Sequence, residues 1–256
     1  MRFRSLGSGS TGNALIIESG GSRPTRLLVD CGLGIKQLIY RLGESGWLPE
    51  DLDAIFITHE HGDHIGCALA LSLRFNIPVW MSGGTYAAIG SPDFSGLLGI
   101  ARDSQPIDLG GLQFTPFTVP HDAREPLQIS CTDGAAKLGV LTDLGHATSH
   151  VMDNLKGCDA LMLECNHDAD MLQTSPYPAF LKQRIGGGYG HLSNTAAADI
   201  ARGIRHQGLK QVVAAHLSAH NNLPALAQAS LAGALCCGAD DIVVATPDHG
   251  CRWMTV

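Results

Sequence analysis

Short apolar runs recur along the chain at residues 27–29, 54–58, 79–81, 112–119, 137–141, 160–163, 211–215 and 241–245, each bounded by glycine, proline or polar positions. Their length and β-branched content predict strands. Helix-length segments separate several of them. After Ser193, a capping residue, Ala196, Ala197, Ile200, Ala201 and Ile204 fall on one face at helical spacing. A second helix is predicted from Pro224, suited to a first turn, to about Leu235. Thr132-Asp133-Gly134 reads as a hairpin turn. This mixture predicts two sheets covered by helices rather than one doubly wound sheet. With no internal repeat, low-complexity tract or long linker, residues 1–256 are expected to form a single domain.

Composition narrows the class. The 45% hydrophobic content of the 256 residues supports a substantial core, and the apolar run at residues 14–17 is too brief for a secretory or membrane segment, so a cytoplasmic location is expected. The eight cysteines form no C-x-x-C pair, and several lie in apolar runs, which predicts buried free thiols rather than disulfides. A net charge of −7 excludes a broadly basic nucleic-acid-binding surface, so a polyanion would have to be gripped locally.

The twelve histidines gather rather than scatter. Thr58-His59-Glu60-His61-Gly62-Asp63-His64 directly follows the strand-like run at residues 54–57. A strand ending in a tight loop can turn His59 and His61 toward one ion and Asp63 and His64 toward a second. Such imidazole and carboxylate donors suit Zn²⁺, Mn²⁺ or Fe without a thiolate. Four more residues close strand-like runs: Asp30, His121, Asp143 and His216. Taken singly, His121 or His216 reads equally well as a hydrogen-bonded core histidine.

The H-x-H-x-D-H sequence after a strand resembles the signature of the metallo-β-lactamase superfamily, which also carries those four strand-end residues in that order. The resemblance implies an α/β fold, the αββα sandwich of two central sheets flanked by helices, and two divalent metal ions, zinc or manganese. It assigns His59, His61 and His121 to one ion, Asp63, His64 and His216 to the other, and Asp143 as the bridge. Asp30 would orient a ligand histidine. A formal count of two divalent ions against Asp63, Asp143 and a bridging hydroxide leaves the pocket at roughly +1, attractive to anions. Paired metals both generate hydroxide near neutral pH and stabilise charge on a phosphoryl oxygen.

The C-terminal half points to a branch of this superfamily. Gly190-His-Leu-Ser-Asn194 precedes the capped helix, and His216-Leu-Ser218 follows one helix later. The pair resembles phosphodiesterases and nucleases, which implies that His191 is catalytic, as general acid to the leaving oxygen or donor to the phosphate. Glu164 would orient His191, with His167 or Asp168 as competitors. Together with Gly7-Ser-Gly-Ser-Thr-Gly-Asn13, Val29-Asp-Cys-Gly32, His121-Asp122 with Glu125-Pro126, Glu164-Cys-Asn-His-Asp168 and Asn221-Asn222, these motifs resemble the YycJ/WalJ-type proteins. The likeness implies a 5′-to-3′ DNA exonuclease with catalytic Asp63, His191 and Glu164. It departs at Leu144-Gly145-His146, where such relatives tend to carry Thr-Gly-Tyr. The alternatives are a small-molecule cyclic phosphodiesterase and a non-hydrolytic di-iron redox protein.

Around His191 lies the one basic stretch, Lys182, Arg184, Arg202, Arg205 and Lys210, a candidate for phosphate contact or merely a solvated helix face. The glycine-rich segment 186–190 is a candidate mobile loop, with Tyr189 available to stack on a base. Residues 7–13 lack the context of a dinucleotide fingerprint and read as a tight turn at the mouth of the site. His146, His150, His206, His220 and His249 are given no role.

Overall fold

The computed structural model describes residues 1–256. In chain order the strands are β1 (Arg2–Gly7), β2 (Ala14–Glu18), β3 (Arg26–Val29), β4 (Ala54–Phe56), β5 (Val79–Ser82), β6 (Leu98–Ala101), β7 (Ile107–Leu109), β8 (Leu112–Thr118), β9 (Leu127–Thr132), β10 (Lys137–Leu141), β11 (Ala160–Glu164), β12 (Gln211–Ala215), β13 (Val243–Val244) and β14 (Met254–Thr255). The α-helices are α1 (Ile35–Glu44), α2 (Gly62–Ile65), α3 (Ala68–Phe75), α4 (Gly83–Ala88), α5 (Ser149–Leu155), α6 (Ala169–Thr174), α7 (Ala179–Ile185), α8 (Asn194–Ile204) and α9 (Pro224–Leu235). None is long and apolar enough to cross a membrane.

The strands form two seven-stranded sheets, ordered β14-β1-β2-β3-β4-β5-β6 and β13-β12-β11-β10-β9-β8-β7. Alternation along the strands gives each sheet two apolar faces. The inner faces meet in one cluster, with Phe3, Ile17 and Phe56 of the first sheet against Phe114, Ile129 and Met162 of the second. Phe56 and Phe114 pack edge to face across the seam, 5.5 Å between centroids. The outer face of the first sheet is covered by α1 and α3 through Leu38, Leu42 and Leu71. That of the second is covered by α5, α8 and α9 through Val151, Ile200 and Leu231. The result is the expected αββα sandwich.

Direction of travel is what makes a site. β3 runs parallel to β4, and β10, β11 and β12 are mutually parallel. β8 reaches the same direction through two antiparallel pairings with β9. The C-terminal ends of these strands therefore open on one edge of the sandwich, where loops are free to carry polar side chains.

Several predicted elements change on folding. The strand expected at 54–58 ends at Phe56, because the chain is already leaving the ladder to deliver His59. That expected at 241–245 shrinks to Val243–Val244, since Ala239–Asp241 winds into a single 3₁₀ turn. The hairpin turn at Thr132 is present, with Thr132 opposite Lys137. The Ser193 cap is also present, its Oγ accepting from Ala196 N at 3.2 Å.

Candidate metal centre

The seven residues expected to hold metal converge, although they span residues 59 to 216. His59 leaves β4, His61 precedes α2, and Asp63 and His64 lie on α2. His121 follows β8, Asp143 follows β10 and His216 follows β12. His61 Nδ1 is 3.0 Å from His59 Nε2 and 3.2 Å from His121 Nε2. His64 Nε2 is 2.9 Å from Asp143 Oδ2, and His216 Nε2 is 3.5 Å from Asp63 Oδ2. Two groups of donor atoms, His59/His61/His121 and Asp63/His64/His216, each lie within 4.8 Å of one another.

This arrangement fits cations better than it fits itself. One proton satisfies one pair of imidazole nitrogens, yet three such nitrogens face each other. Asp143 Oδ2 is buried without a hydrogen bond, 2.9 Å from His64 Nε2. A buried unpartnered carboxylate oxygen is costly, and a metal ion between the two groups would remove the cost. The all-imidazole and carboxylate donor set suits zinc, manganese or iron.

Electrostatics separates the histidines into two kinds. Burial pushes His59 well below the usual imidazole range, with the charge of His64 adding to the effect, and burial likewise lowers His121. Both are therefore neutral donors. Burial also opposes charge on His64 and His216, but Asp143 and its neighbours outweigh it, lifting His64 well above the usual range and His216 to about 10. Burial opposes ionisation of Asp143 too, and His216 and His64 overcome it to hold that carboxyl well below its ordinary range.

Partners behind these residues fix their rings. Asp30 Oδ2 lies 2.7 Å from His64 Nδ1, and Asp30 Oδ1 accepts from Thr58 N at 2.9 Å. Gly190 O faces His121 Nδ1 at 3.1 Å. Asp30, Asp143 and His216 each have positive φ, at 62°, 54° and 53°. In such a conformation a non-glycine residue costs on the order of 1 kcal/mol, and the strain is spent turning three strand ends toward one point.

Glu164, at the end of β11, joins two functions. Its Oε1 lies 2.7 Å from His191 Nδ1 and 3.2 Å from His216 Nδ1, while Oε2 accepts from Leu192 N at 3.0 Å and Leu144 N at 3.2 Å. Burial opposes its charge, but His191 and these bonds hold the carboxyl at about 2. Burial also works against charge on His191, and Glu164 and then Asp143 reverse it, so that His191 sits above the usual imidazole range. Neither competitor takes the Glu164 position: Asp168 caps α6 through Asp170 N and Met171 N, and His167 is buried without a partner for Nδ1.

Sequence reasoning missed several supports. Asn13 Nδ2 lies 3.1 Å from His64 Nε2 and 3.4 Å from Asp63 Oδ2, while Ser8 Oγ accepts from His216 N at 2.8 Å. The turn at residues 7–13 thus lines the site, as expected, and also braces it. His146, given no role, faces Gly188 O through Nδ1 at 2.8 Å. The expected mobile segment 186–190 is thereby tied down, with a further bond from His191 N to Ile185 O at 2.8 Å. A buried lattice of Asn166, Asn194 and Asn222 links the loops after β11 and β12 to α8. Runs of asparagine beside Gly190-His191 and His216 were the available signal.

The basic stretch does not act as a unit. Only Arg184 reaches the cleft of about 360 Å³ formed with His61, Asp63, His191 and His216. Lys182 Nζ donates to Gln173 O, Arg202 pairs with Asp199, and Arg205 and Lys210 line a separate cleft beside Asp240 and Asp241.

A four-layer sandwich with clustered imidazoles and carboxylates at its strand ends defines a class, and the chain belongs to it: the Beta-lactamase superfamily domain matches residues 25–217. Within that class its likeness is to the YycJ/WalJ group. It is 32% identical to Exodeoxyribonuclease YycJ of Bacillus anthracis over 92% of this chain and 89% of that protein. It is 30% identical to Exodeoxyribonuclease WalJ of Streptococcus pneumoniae over 91% and 88%. The metallo-beta-lactamase fold protein YhfI of Bacillus subtilis superposes with a TM-score of 0.77 at 18% identity, covering 99% of both chains. The chain is a metal-dependent hydrolase.

Proposed function

We propose that this chain, working as a single metallo-β-lactamase-fold domain over residues 1–256, hydrolyses DNA phosphodiester bonds exonucleolytically from the 5′ end. Two divalent ions, zinc or manganese, would be held by His59, His61 and His121 and by Asp63, His64 and His216, with Asp143 shared. When bound, such a pair supplies a nucleophile at neutral pH and Lewis-acid stabilisation of the phosphoryl oxygens.

The observation that carries the reading is His191 on Glu164. A histidine whose charged form a buried carboxylate favours, 23% exposed and lining the cleft, is placed to donate a proton to a leaving oxygen. Glu164 fixes its tautomer, sending Nδ1–H to the carboxylate and Nε2–H away from it. Asp30 and Asn13 face the ring of His64, and Ser8 accepts from the backbone N of His216, so these candidate ligands are braced from behind. Similarity to two exodeoxyribonucleases over about nine-tenths of both lengths supports DNA as the substrate.

The test sets end-labelled duplex DNA beside bis-p-nitrophenyl phosphate and a cyclic phosphate, with Mn²⁺ or Zn²⁺. Nucleotides should be released first from the 5′ end, and His191→Ala should lower kcat by roughly 10²–10⁴-fold while retaining metal. Hydrolysis of the small esters alone would defeat the nuclease reading in favour of a small-molecule phosphodiesterase.

A further inference from the structure

The helix beside the cleft is unlike the rest of the molecule. No residue of α7 is buried, yet Leu181, Arg184 and Ile185 line the cleft that holds His191 and His216. Three aromatic side chains on the whole surface are strongly exposed: Tyr40, Phe180 and Tyr189. Tyr40 donates to Glu44 on its own helix at 3.0 Å. The other two lie on the segment that lines this cleft, Phe180 beside Leu181 on α7 at 72% exposed and Tyr189 beside Gly190 in the loop that follows at 65%. An exposed phenylalanine costs solvation free energy and makes no hydrogen bond in return.

Between them in the chain lies Arg184. Its Nε donates to Asp122 Oδ2 at 2.7 Å, which orients the guanidinium, while its two Nη groups have no partner in the protein. Asp122 Oδ1 is itself 3.4 Å from His121 Nε2. The cation is thus braced against the candidate metal site with donors to spare. The backbone of this rim is bonded to the residue proposed to act as acid, His191 N donating to Ile185 O at 2.8 Å.

Resting on the nuclease reading above, we propose that α7 and residues 186–190 form the strand-binding rim of the cleft: the free N–H groups of Arg184 take a backbone phosphate of the substrate, and Phe180 and Tyr189 stack on unpaired bases near its end. The occupant is the single-stranded terminus of a nucleic acid. An oriented guanidinium with free donors matches a phosphate, and two exposed rings on the same segment match base faces, which every sequence offers. This local grip is how a chain of net charge −7 would hold a polyanion.

The test measures steady-state hydrolysis of a duplex DNA bearing a 5′ single-stranded overhang, beside bis-p-nitrophenyl phosphate, with Mn²⁺ and after metal analysis of each variant. Phe180→Ala and Tyr189→Ala should each raise KM for DNA roughly tenfold with kcat within about twofold, so that the ratio of DNA to ester turnover falls. Arg184→Ala should do the same, and Arg184→Lys should recover only part of the loss, since a point charge does not replace the fork. A KM for DNA within about twofold of the unmutated protein in all three alanine variants would overturn the proposal, as would equal losses on DNA and ester. If the unmutated protein cleaves the ester but no DNA, the nuclease reading falls and this inference with it. That outcome needs no variant to be seen.

Discussion

At the scale of single residues, Glu164 concentrates more of the chemistry than its place in the sequence suggests. One of its oxygens faces both His191 and His216, so the same charge keeps a candidate acid protonated and orients a candidate ligand. His191 has a raised folded-state value, so the charged form persists to higher pH than in a free imidazole and is lost as pH rises through that value. Replacing Glu164 by Gln removes the largest raising influence. The alkaline limb of the kcat profile should therefore move to lower pH, with a fall in rate of about 10–100-fold, measured across the pH range at saturating metal. An unchanged limb would mean that His191 does not titrate in the reaction.

At the scale of elements, the glycine-rich segment between α7 and α8 is a spacer set by contact rather than a hinge. A Cβ on Gly190 would lie 2.1 Å from Arg184 O and 2.2 Å from Ile185 O, and one on Gly145 would lie 2.2 Å from Gly188 O. Gly190→Ala must therefore displace the backbone that carries His191. It should cost about 1–3 kcal/mol of stability and lower kcat well beyond what stability explains, read by denaturant unfolding alongside kinetics. The candidate ligands were legible through the H-x-H-x-D-H resemblance together with the strand-end places of His121, Asp143 and His216; the hydrophobic pattern alone left His121 and His216 open as core histidines. Strands were harder to read where buried polar residues interrupt that pattern. β9 went unread because Gln128 and Ser130 are buried within it, Gln128 Oε1 accepting from Thr142 N at 3.1 Å. β1 was hidden by Arg2 and Arg4, which interrupt its apolar pattern, Arg2 exposed and Arg4 half-buried. The bracing by Asn13, Ser8 and His146 was illegible for another reason: each acts across a contact between distant loops, and no local spacing encodes such a contact.

For the whole molecule, the site brings the two sheets together at one edge: the candidate ligands after β4 and on α2 belong to the first sheet, and those after β8, β10 and β12 to the second. Metal should therefore stabilise the sandwich as a unit. Removing it with a chelator is expected to lower the melting temperature by roughly 10 °C, corresponding to about 4 kcal/mol at a thousandfold excess over Kd, with recovery on adding Mn²⁺ or Zn²⁺. No change on chelation would argue that the cluster holds no cation in solution. The charge balance yields a second expectation. A protein of net charge −7 that grips DNA through few cations releases few counterions. The slope of log affinity against log salt should be shallow, about −1 to −3, by anisotropy of labelled DNA without turnover. A steep slope would require a basic track away from the cleft.

The left-handed backbone at Asp30, Asp143 and His216 reaches beyond geometry. At Asp143 and His216 glycine would ease the backbone while removing a candidate donor, so backbone comfort and metal affinity pull in opposite directions at those two corners.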